Sequence, residues 1–423
     1  MTILLTALLL QAAPTDLHWP HWRGPTRDGV AAAEVAPPLE WSESKNVRRK
    51  VPIDGLGNST PIAVGERLYL TTAIDLEGLA GPQPGAPGIA HRHAYVVLAI
   101  DRATGEEAWR TVVHEAMPHP KQHATGSHAS PSMSTDGKHL VASFGSRGLY
   151  VLDFEGEVLW STQLGESKIA ADFGEGSTPA LADDVVVVQW DEEGPSFVAG
   201  FDVATGERRW RREREFDSSW GSPAVARIGG DSQVILNGTD RTIAYDVASG
   251  ETVWTCGGMS KNPATSPVVH GDVLYLGNSW RGTVFQAIRL EGASGDLTES
   301  KARSWTRSKT APYVPSPIVH DGLLYHMRDS KGVLECVDAE SGETVYSGER
   351  LPGIDNVHAS LTATADRIYI VSRQGVTAVV AAGPEFEVLA TNPLDDVFDA
   401  SPVIAGDALY LRGRSHLYCI GSD

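Results

Sequence analysis

The chain has 423 residues, with 35 Lys and Arg against 54 Asp and Glu, and its formal net charge is −19 at pH 7. A chain this acidic repels phosphate backbones and anionic lipid, which excludes nucleic acid and membrane surfaces as default partners. The hydrophobic content of 41% is ordinary for a folded protein, and the 43 Gly and 25 Pro indicate many turns, so disorder and long-helix architectures are both disfavoured.

The first segment is an apolar run from Ile3 to Leu10, followed by small residues. It resembles a secretory signal peptide spanning residues 1–13, with cleavage near Ala12 or Ala13. A wrongly chosen start codon or a short buried strand is the alternative. The run is too short to span a bilayer, and no Cys stands directly after it, as a lipid-anchored lipoprotein would require. We therefore expect a periplasmic or secreted protein without a membrane anchor, in which residues 14–38 form an N-terminal extension.

A short phrase, Ser or Thr followed by Pro, then recurs almost from end to end, with one Ser-Leu pair in its place. The eight starts are Thr60, Ser130, Thr178, Ser222, Ser266, Ser316, Ser360 and Ser401. The first interval is the longest because it contains a Gly- and Pro-rich insertion at residues 75–93. Self-similarity at a nearly fixed period is typical of repeat architectures.

Each unit ends in a second phrase, Asp-x-x-Thr-Gly-Glu-x-x-Trp or a close variant, as at Asp101 and Asp202. The phrase predicts a tight hairpin turn that the Asp side chain caps and in which Gly takes a positive φ. An aromatic residue recurs about once per unit and is expected to pack between units rather than to bind a cofactor. These aromatic residues are Trp41, Trp109, Trp160, Trp210, Trp254 and Tyr346.

Between the two phrases lie alternating runs such as RLYLTT and VLYLGN, which predict short strands. Four antiparallel strands in each of eight units predict an all-β, eight-bladed β-propeller over residues 39–423. The last unit begins at Ser401 and stops before its own fourth strand, whereas residues 39–53 supply a Trp-bearing strand. We expect this N-terminal strand to complete the eighth blade and so to remove an exposed sheet edge.

Together these phrases resemble the pyrroloquinoline-quinone-like propeller repeat over about residues 40–423. That family includes quinoprotein alcohol dehydrogenases and the propeller lipoprotein of the outer-membrane assembly machinery. The stretch HWPHWRGPTRDG at residues 18–29 is similar to the N-terminal stretch of exported family members from planctomycete-type bacteria. The dehydrogenase branch implies pyrroloquinoline quinone with calcium and a vicinal disulfide. However, Cys256, Cys336 and Cys419 lie far apart, and the calcium ligand set has no match.

In a propeller, the segments before the innermost strands meet at one mouth of the central channel, where ligands usually bind. An aromatic wall with acidic and imidazole groups there would hold a small polar molecule or a peptide. Alternatively, these side chains only satisfy the backbone of turns. The candidate residues are Asn58, His128, Glu175, Trp220, Asn262, Tyr313, His358 and Asp399.

The histidines are clustered, with six of the 14 between His91 and His128. Such a cluster could bind zinc or copper, but HExxH and Cys-pair spacings are both missing from the sequence, so we assign no metal site. Nucleophile and phosphate-binding motifs are missing as well, and no catalytic or cofactor-binding residue is assigned.

The preferred hypothesis is an exported, monomeric, non-catalytic module that binds a protein or a small polar ligand at the channel mouth. A quinone-dependent alcohol or sugar dehydrogenase is the alternative, and a different enzyme or a metal protein is the third possibility.

Overall fold

The computed structural model describes residues 19–32, 36–77, 91–119 and 121–422. The proposed signal peptide and most of the 75–93 insertion lie outside these ranges. The described residues form 33 strands and two short 3-10 turns, Gly145–Arg147 and Ala170–Asp172. Within these ranges, no helix is both long and apolar enough to cross a membrane.

The strands form eight antiparallel sheets arranged in a circle, so the predicted all-β, eight-bladed propeller is confirmed. From the channel outward, blades one to four consist of β2 (Ile62–Val64), β3 (Arg67–Asp75), β4 (His93–Asp101) and β5 (Glu107–Ala116); β6 (Ser134–Thr135), β7 (Leu140–Ser143), β8 (Leu149–Leu152) and β9 (Val158–Thr162); β10 (Ala180–Ala182), β11 (Val185–Trp190), β12 (Ser196–Asp202) and β13 (Arg208–Arg214); β14 (Ala224–Ile228), β15 (Asp231–Asn237), β16 (Arg241–Asp246) and β17 (Thr252–Gly257).

Blades five to eight follow the same order, and in blade eight the outermost strand is the first strand of the chain. They consist of β18 (Val268–His270), β19 (Val273–Asn278), β20 (Val284–Arg289) and β22 (Arg303–Arg307); β23 (Ile318–His320), β24 (Leu323–Met327), β25 (Val333–Asp338) and β26 (Thr344–Arg350); β27 (Thr362–Ala363), β28 (Arg367–Val371), β29 (Val376–Ala381) and β30 (Val388–Pro393); β31 (Val403–Ala405), β32 (Ala408–Arg412), β33 (His416–Ile420) and β1 (Val47–Pro52). A two-residue strand, β21 (Gly295–Asp296), adds a parallel pairing to the outer edge of blade four.

The predicted closure by an N-terminal strand is also confirmed, because β1 pairs antiparallel with β33, with Val51 opposite Leu417. The strand is shorter than the predicted segment of residues 39–53. Trp41 precedes it, where the indole stacks on Tyr369 of blade seven and the backbone N–H donates to Asn392. The side chain of Trp41 therefore lies between blades rather than within the closing strand.

The hairpin phrase forms the predicted turn. The Asp101 carboxylate accepts hydrogen bonds from the backbone N–H groups of Ala103 and Thr104, and Gly105 has a φ of +77°. Trp109 then reaches into blade two, where the indole N–H donates to the Phe154 carbonyl at 2.9 Å. Four of these Trp side chains pack on the turn glycine of the following blade, and the pairs are Trp109 with Gly156, Trp160 with Gly206, Trp210 with Gly250 and Trp305 with Gly342. Trp254 differs, because its indole N–H donates to Gln233 of its own blade. The sequence analysis missed Trp305.

The innermost strands are joined by a closed set of eight hydrogen bonds, which we call the hydroxyl ring. In each blade, one backbone N–H donates to the side-chain hydroxyl oxygen of the next blade, at 2.8–3.2 Å. The members are Thr60, Ser132, Thr178, Ser222, Ser266, Ser316, Ser360 and Ser401. The repeated Ser or Thr of the sequence is therefore the residue that joins neighbouring blades around the channel.

One member of the hydroxyl ring corrects the sequence analysis. The unit start at Ser130 is wrong by two residues, because Ser132 is the residue that stands two positions before the inner strand of blade two. Ser130 instead bonds with Ser127 in the preceding loop. The Ser-Pro dipeptide there was a misleading copy of the phrase.

Residues 19–31 of the N-terminal extension lie in the channel, alongside the innermost strands that follow the hydroxyl ring. We call residues 19–31 the channel segment. It adds to the exposed edges of inner strands, since Trp19 exchanges two backbone hydrogen bonds with Ala63, at 2.7 and 2.9 Å, and Val30 forms a bridge with Ala363. These pairings cover inner-strand edges in blades one and seven that would otherwise face the channel.

Arginines fix the rest of the channel segment. Arg23 is buried and donates to the carbonyls of Pro317 and Leu361, and Arg27 donates to the Leu181 carbonyl at 2.6 Å. Blades three, six and seven are thereby tied to one stretch of chain. The sequence analysis noted a family resemblance in this stretch but assigned it no place in the propeller.

Candidate functional site

Loops before the innermost strands and loops between the second and third strands lie on the same face, because antiparallel strands alternate in direction. We call this the mouth face. All eight candidate residues lie in loops of the mouth face. The 75–93 insertion connects β3 to β4, where Asp75 pairs with His93, so its described ends lie on this face too.

His358 and Asp399, both predicted from sequence, are in contact: His358 Nδ1 lies 3.1 Å from Asp399 Oδ1. Arg373 Nε donates to the same oxygen at 2.6 Å, and Arg414 Nη2 lies 3.4 Å from the other. We call these four residues the arginine cluster. Burial would raise the pKa of Asp399, whose side chain is 4% exposed, but the hydrogen bonds from His358 and Arg373 hold that pKa below its ordinary value.

The arginine cluster carries excess positive charge, since two guanidinium groups surround one carboxylate. Arg412 adds a third in the adjoining strand of blade eight. Its side chain is buried and donates to the oxygens of Ser59 and to the Thr71 carbonyl, and burial lowers its pKa to about 9. Asp396, in the same loop as Asp399, accepts from the backbone N–H groups of Ser415 and His416, so three guanidinium groups stand near two carboxylates in this sector.

Glu175, another candidate, is occupied by hydrogen bonds. Its carboxylate accepts from the backbone N–H and hydroxyl of Ser146 and from the hydroxyl of Ser167, at 2.7–3.0 Å. Burial nevertheless raises the pKa of Glu175. His128 lines the same cleft, whose volume of about 10 Å³ admits one water at most. This side of the mouth therefore has no room for a ligand between His128 and Glu175.

Aromatic side chains line another sector of the mouth face. Trp220 packs against Phe173 with ring centroids 6.0 Å apart and donates its indole N–H to the Gly174 carbonyl. Tyr313 stacks on Trp280 at 5.8 Å. Phe173 and Trp280 are the exposed members of these pairs. The sequence analysis missed both, because each stands in a loop outside the repeated phrases.

The two asparagine candidates hold loop backbone. Asn58 Nδ2 donates to the Thr125 carbonyl at 2.8 Å, and Asn262 Nδ2 donates to the Ser218 carbonyl at 2.9 Å. Asn262 also has a φ of +49°, which Asn tolerates better than most residues. Both therefore act as turn residues, which was the alternative reading of this set.

The structure also tests whether the site would fit pyrroloquinoline quinone with calcium. The mouth carboxylates Asp399 and Glu175 are already filled by arginine, histidine or serine donors, and none of the described residues form a group of three or more His, Cys, Asp or Glu suited to a metal ion. Cys256, Cys336 and Cys419 are buried in three separate sheets. The residues do not fit this cofactor, and we derive no chemistry through it.

The histidine cluster is dispersed in the fold. His91 bonds with Asp75, His119 with the Ser167 carbonyl and His123 with Thr125. His93 and His128 are the pair whose rings are in contact, at 5.3 Å.

Burial, followed by the neighbouring His93 and Arg147, lowers the pKa of His128 from 6.5 to about 4. Between pH 6.5 and 4, His128 is therefore protonated in the unfolded chain but neutral in the folded chain. The free energy of unfolding decreases as pH falls through this range. We expect His128 alone to cost about 2 kcal/mol between pH 7 and pH 5. Urea unfolding at both pH values should show a smaller loss for His128→Gln than for the unsubstituted chain. Equal losses would contradict this assignment, and exposed His123→Gln serves as the control.

Three comparisons place the chain among known proteins. The outer membrane protein assembly factor BamB of Burkholderia pseudomallei (strain K96243) is 21% identical over 365 residues, which cover 83% of this chain and 80% of that protein. The crystal structure of BamB from Moraxella catarrhalis matches with a TM-score of 0.62 and 13% identity, over 89% of this chain and 97% of that one. A europium-containing methanol dehydrogenase matches with a TM-score of 0.64 and 10% identity, over 95% and 90% of the two chains.

At such low identities the two structural matches establish the fold alone, and they agree with a pyrroloquinoline-quinone-like β-propeller. A family model described as outer membrane protein assembly factor BamB matches residues 93–348, which is more than half of the chain. The chain therefore belongs to this family.

Proposed function

We propose that this protein is an exported, non-catalytic scaffold whose mouth face binds an extended segment of a protein partner. The observation that carries the proposal is the presence, in separate sectors of one face, of exposed aromatic side chains and of an excess of arginine. Aromatic and arginine side chains are the residues that most often supply binding energy at protein interfaces.

Export is supported by the apolar N-terminal run and by the family, whose matched relative is named as an outer membrane protein assembly factor. The partner would then be a protein of outer membrane assembly. An acidic side chain or a terminal carboxylate of the partner would lie against Arg373 and Arg414, and an apolar side chain would lie against Phe173 and Trp280.

Saturation of the mouth carboxylates argues against catalysis at this face. A general base needs an available proton-accepting site, whereas both Asp399 oxygens and Glu175 Oε1 are engaged by two or more donors, and Glu175 Oε2 accepts from the Ser146 backbone N–H. The likeness of fold alone favours a quinone-dependent dehydrogenase, because the mouth face lacks a matching set of calcium and quinone ligands among the described residues. We do not propose this activity.

The test is site-specific photocrosslinking in the native host. A photoreactive amino acid at Phe173 or Trp280 should crosslink to outer membrane assembly proteins, which mass spectrometry identifies. The same amino acid at Glu251 or Glu340, in exposed hairpin turns on the opposite face, should not. Crosslinks from the opposite face alone would contradict the proposal.

A second measurement separates binding from proximity. In a chain with the crosslinker at Tyr313, Trp280→Ala should lower the crosslinked yield roughly tenfold, as expected of an aromatic side chain central to an interface. The control, Leu159→Ala on an outer strand, should leave the yield unchanged. An unchanged yield with Trp280→Ala would exclude this side chain from the interface.

A further inference from the structure

The channel segment does not fill the channel evenly. Its backbone and arginines reach inner strands of blades one, three, six and seven. Against blades four and five it leaves a cavity of about 340 Å³, on the side of the hydroxyl ring away from the mouth face. The cavity meets solvent beside exposed Thr26 and Gly271. Its volume lies in the range of small-molecule sites.

The carboxylate in the wall of this cavity is already engaged. Asp28 accepts hydrogen bonds from the Thr26 hydroxyl at 2.5 Å and from the Val30 backbone N–H at 3.2 Å, and its other oxygen lies 3.1 Å from His270 Nδ1. These donors leave little accepting capacity for a ligand. The contact with Asp28 also favours the protonated form of His270, whose pKa is raised.

Donors remain available around the same cavity. Arg27 gives one Nη2 hydrogen bond to the Leu181 carbonyl, a neutral acceptor. Burial lowers the pKa of Arg27, and the nearby Asp183 carboxylate offsets part of that shift. His21 Nδ1 accepts from the Arg23 backbone N–H at 3.1 Å, which leaves Nε2 to carry the proton as a donor. The polar part of the wall is thus rich in donors and positive charge.

The remainder of the wall is apolar. Trp22 contributes from the channel segment, and Pro223, Val225 and Val269 contribute from the inner strands of blades four and five. A site with one cationic side and one apolar side suits a molecule that carries a negative charge on a hydrophobic body.

We propose that this cavity binds a small organic carboxylate, with its charge against Arg27 and His270 and its apolar part against Trp22 and Val225. This site is separate from the mouth face and does not depend on the function proposed there.

The test is isothermal titration calorimetry of the full chain with benzoate, its neutral analogue benzamide and inorganic phosphate. We expect benzoate to bind at a single site, and benzamide and phosphate to bind at least about tenfold more weakly. Arg27→Gln and His270→Gln should each weaken benzoate binding by about tenfold. His320→Gln, at the equivalent position of blade six, should have no effect.

Unfolding of each ligand-free variant shows whether it is folded. Ala224→Phe, which places a ring in the cavity wall, should abolish benzoate binding without changing Arg27 or His270. The proposal is overturned if benzoate fails to bind at millimolar concentration, if benzamide binds equally well, if phosphate alone binds, or if Arg27→Gln binds benzoate as the unsubstituted chain does.

Discussion

A chain that lacks residues 1–53 should lose the single cooperative unfolding transition of the propeller, whereas a chain that lacks residues 1–36 should keep it. Both truncations remove the channel segment, but only the longer one removes β1 and Trp41. Loss of a buried Trp and of a six-residue strand should lower the free energy of unfolding by a further 5 kcal/mol or more, roughly. The reason is that β33 becomes an unpaired edge.

Circular dichroism melts and size-exclusion chromatography would check this result. The longer truncation should melt at lower temperature and self-associate through its open edge, while the shorter one remains monomeric. If the two truncations melt at the same temperature, pairing of β1 with β33 does not hold the circle of blades closed.

Replacement of Trp210 by Ala should lower the free energy of unfolding by about 3 to 5 kcal/mol, the usual cost of removing a large buried aromatic side chain. Trp210 is 6% exposed, packs on the Gly250 turn of blade four and donates to the Val247 carbonyl at 2.9 Å. The substitution leaves a cavity between two blades and an unpaired carbonyl. Urea denaturation measures the loss directly.

Two further substitutions test whether this loss of stability comes from packing of the Trp210 indole between blades. Leu159→Ala, at a side chain 48% exposed on an outer strand, should change stability by less than about 0.5 kcal/mol. Gly250→Ala should destabilise the chain, because its Cβ would lie 2.4 Å from the Trp210 ring. The same substitution should cost less once Trp210 is Ala. A stability of Trp210→Ala within error of the unsubstituted chain would mean that the indole does not join the blades.

The architecture could be predicted because one physical requirement is repeated eight times. Every blade needs a hydroxyl beside the channel, and four of the eight blades have a turn glycine that receives an indole from the neighbouring blade. Repetition makes such a pattern visible even where one copy deviates. The sequence analysis missed Trp305 because a longer connection, which contains β21, separates it from β20. It placed a unit start at Ser130 because Ser130-Pro131 has the same two residues as the repeated phrase, although Ser132 is the member of the hydroxyl ring.

The position of the channel segment could not be predicted from sequence, because the segment occurs once and its binding partners are main-chain carbonyl groups. Arg23 and Arg27 donate to main-chain carbonyls, and any residue supplies a carbonyl. Likewise, Arg373 and Arg414 are ordinary loop residues until the loops of blades seven and eight meet around Asp399. Asp399 and His358 were found because they precede inner strands, whereas their arginine partners follow second strands.

The hydroxyl ring has a consequence for how such a chain can change over evolutionary time. Each repeat donates one hydrogen bond forward and accepts one from behind, so the set has a direction but no first or last member. Duplication or deletion of one whole repeat would add or remove one donor together with one acceptor. Every remaining repeat would still have one donor and one acceptor partner. The number of blades would then be limited by how well the blades pack side by side around the channel.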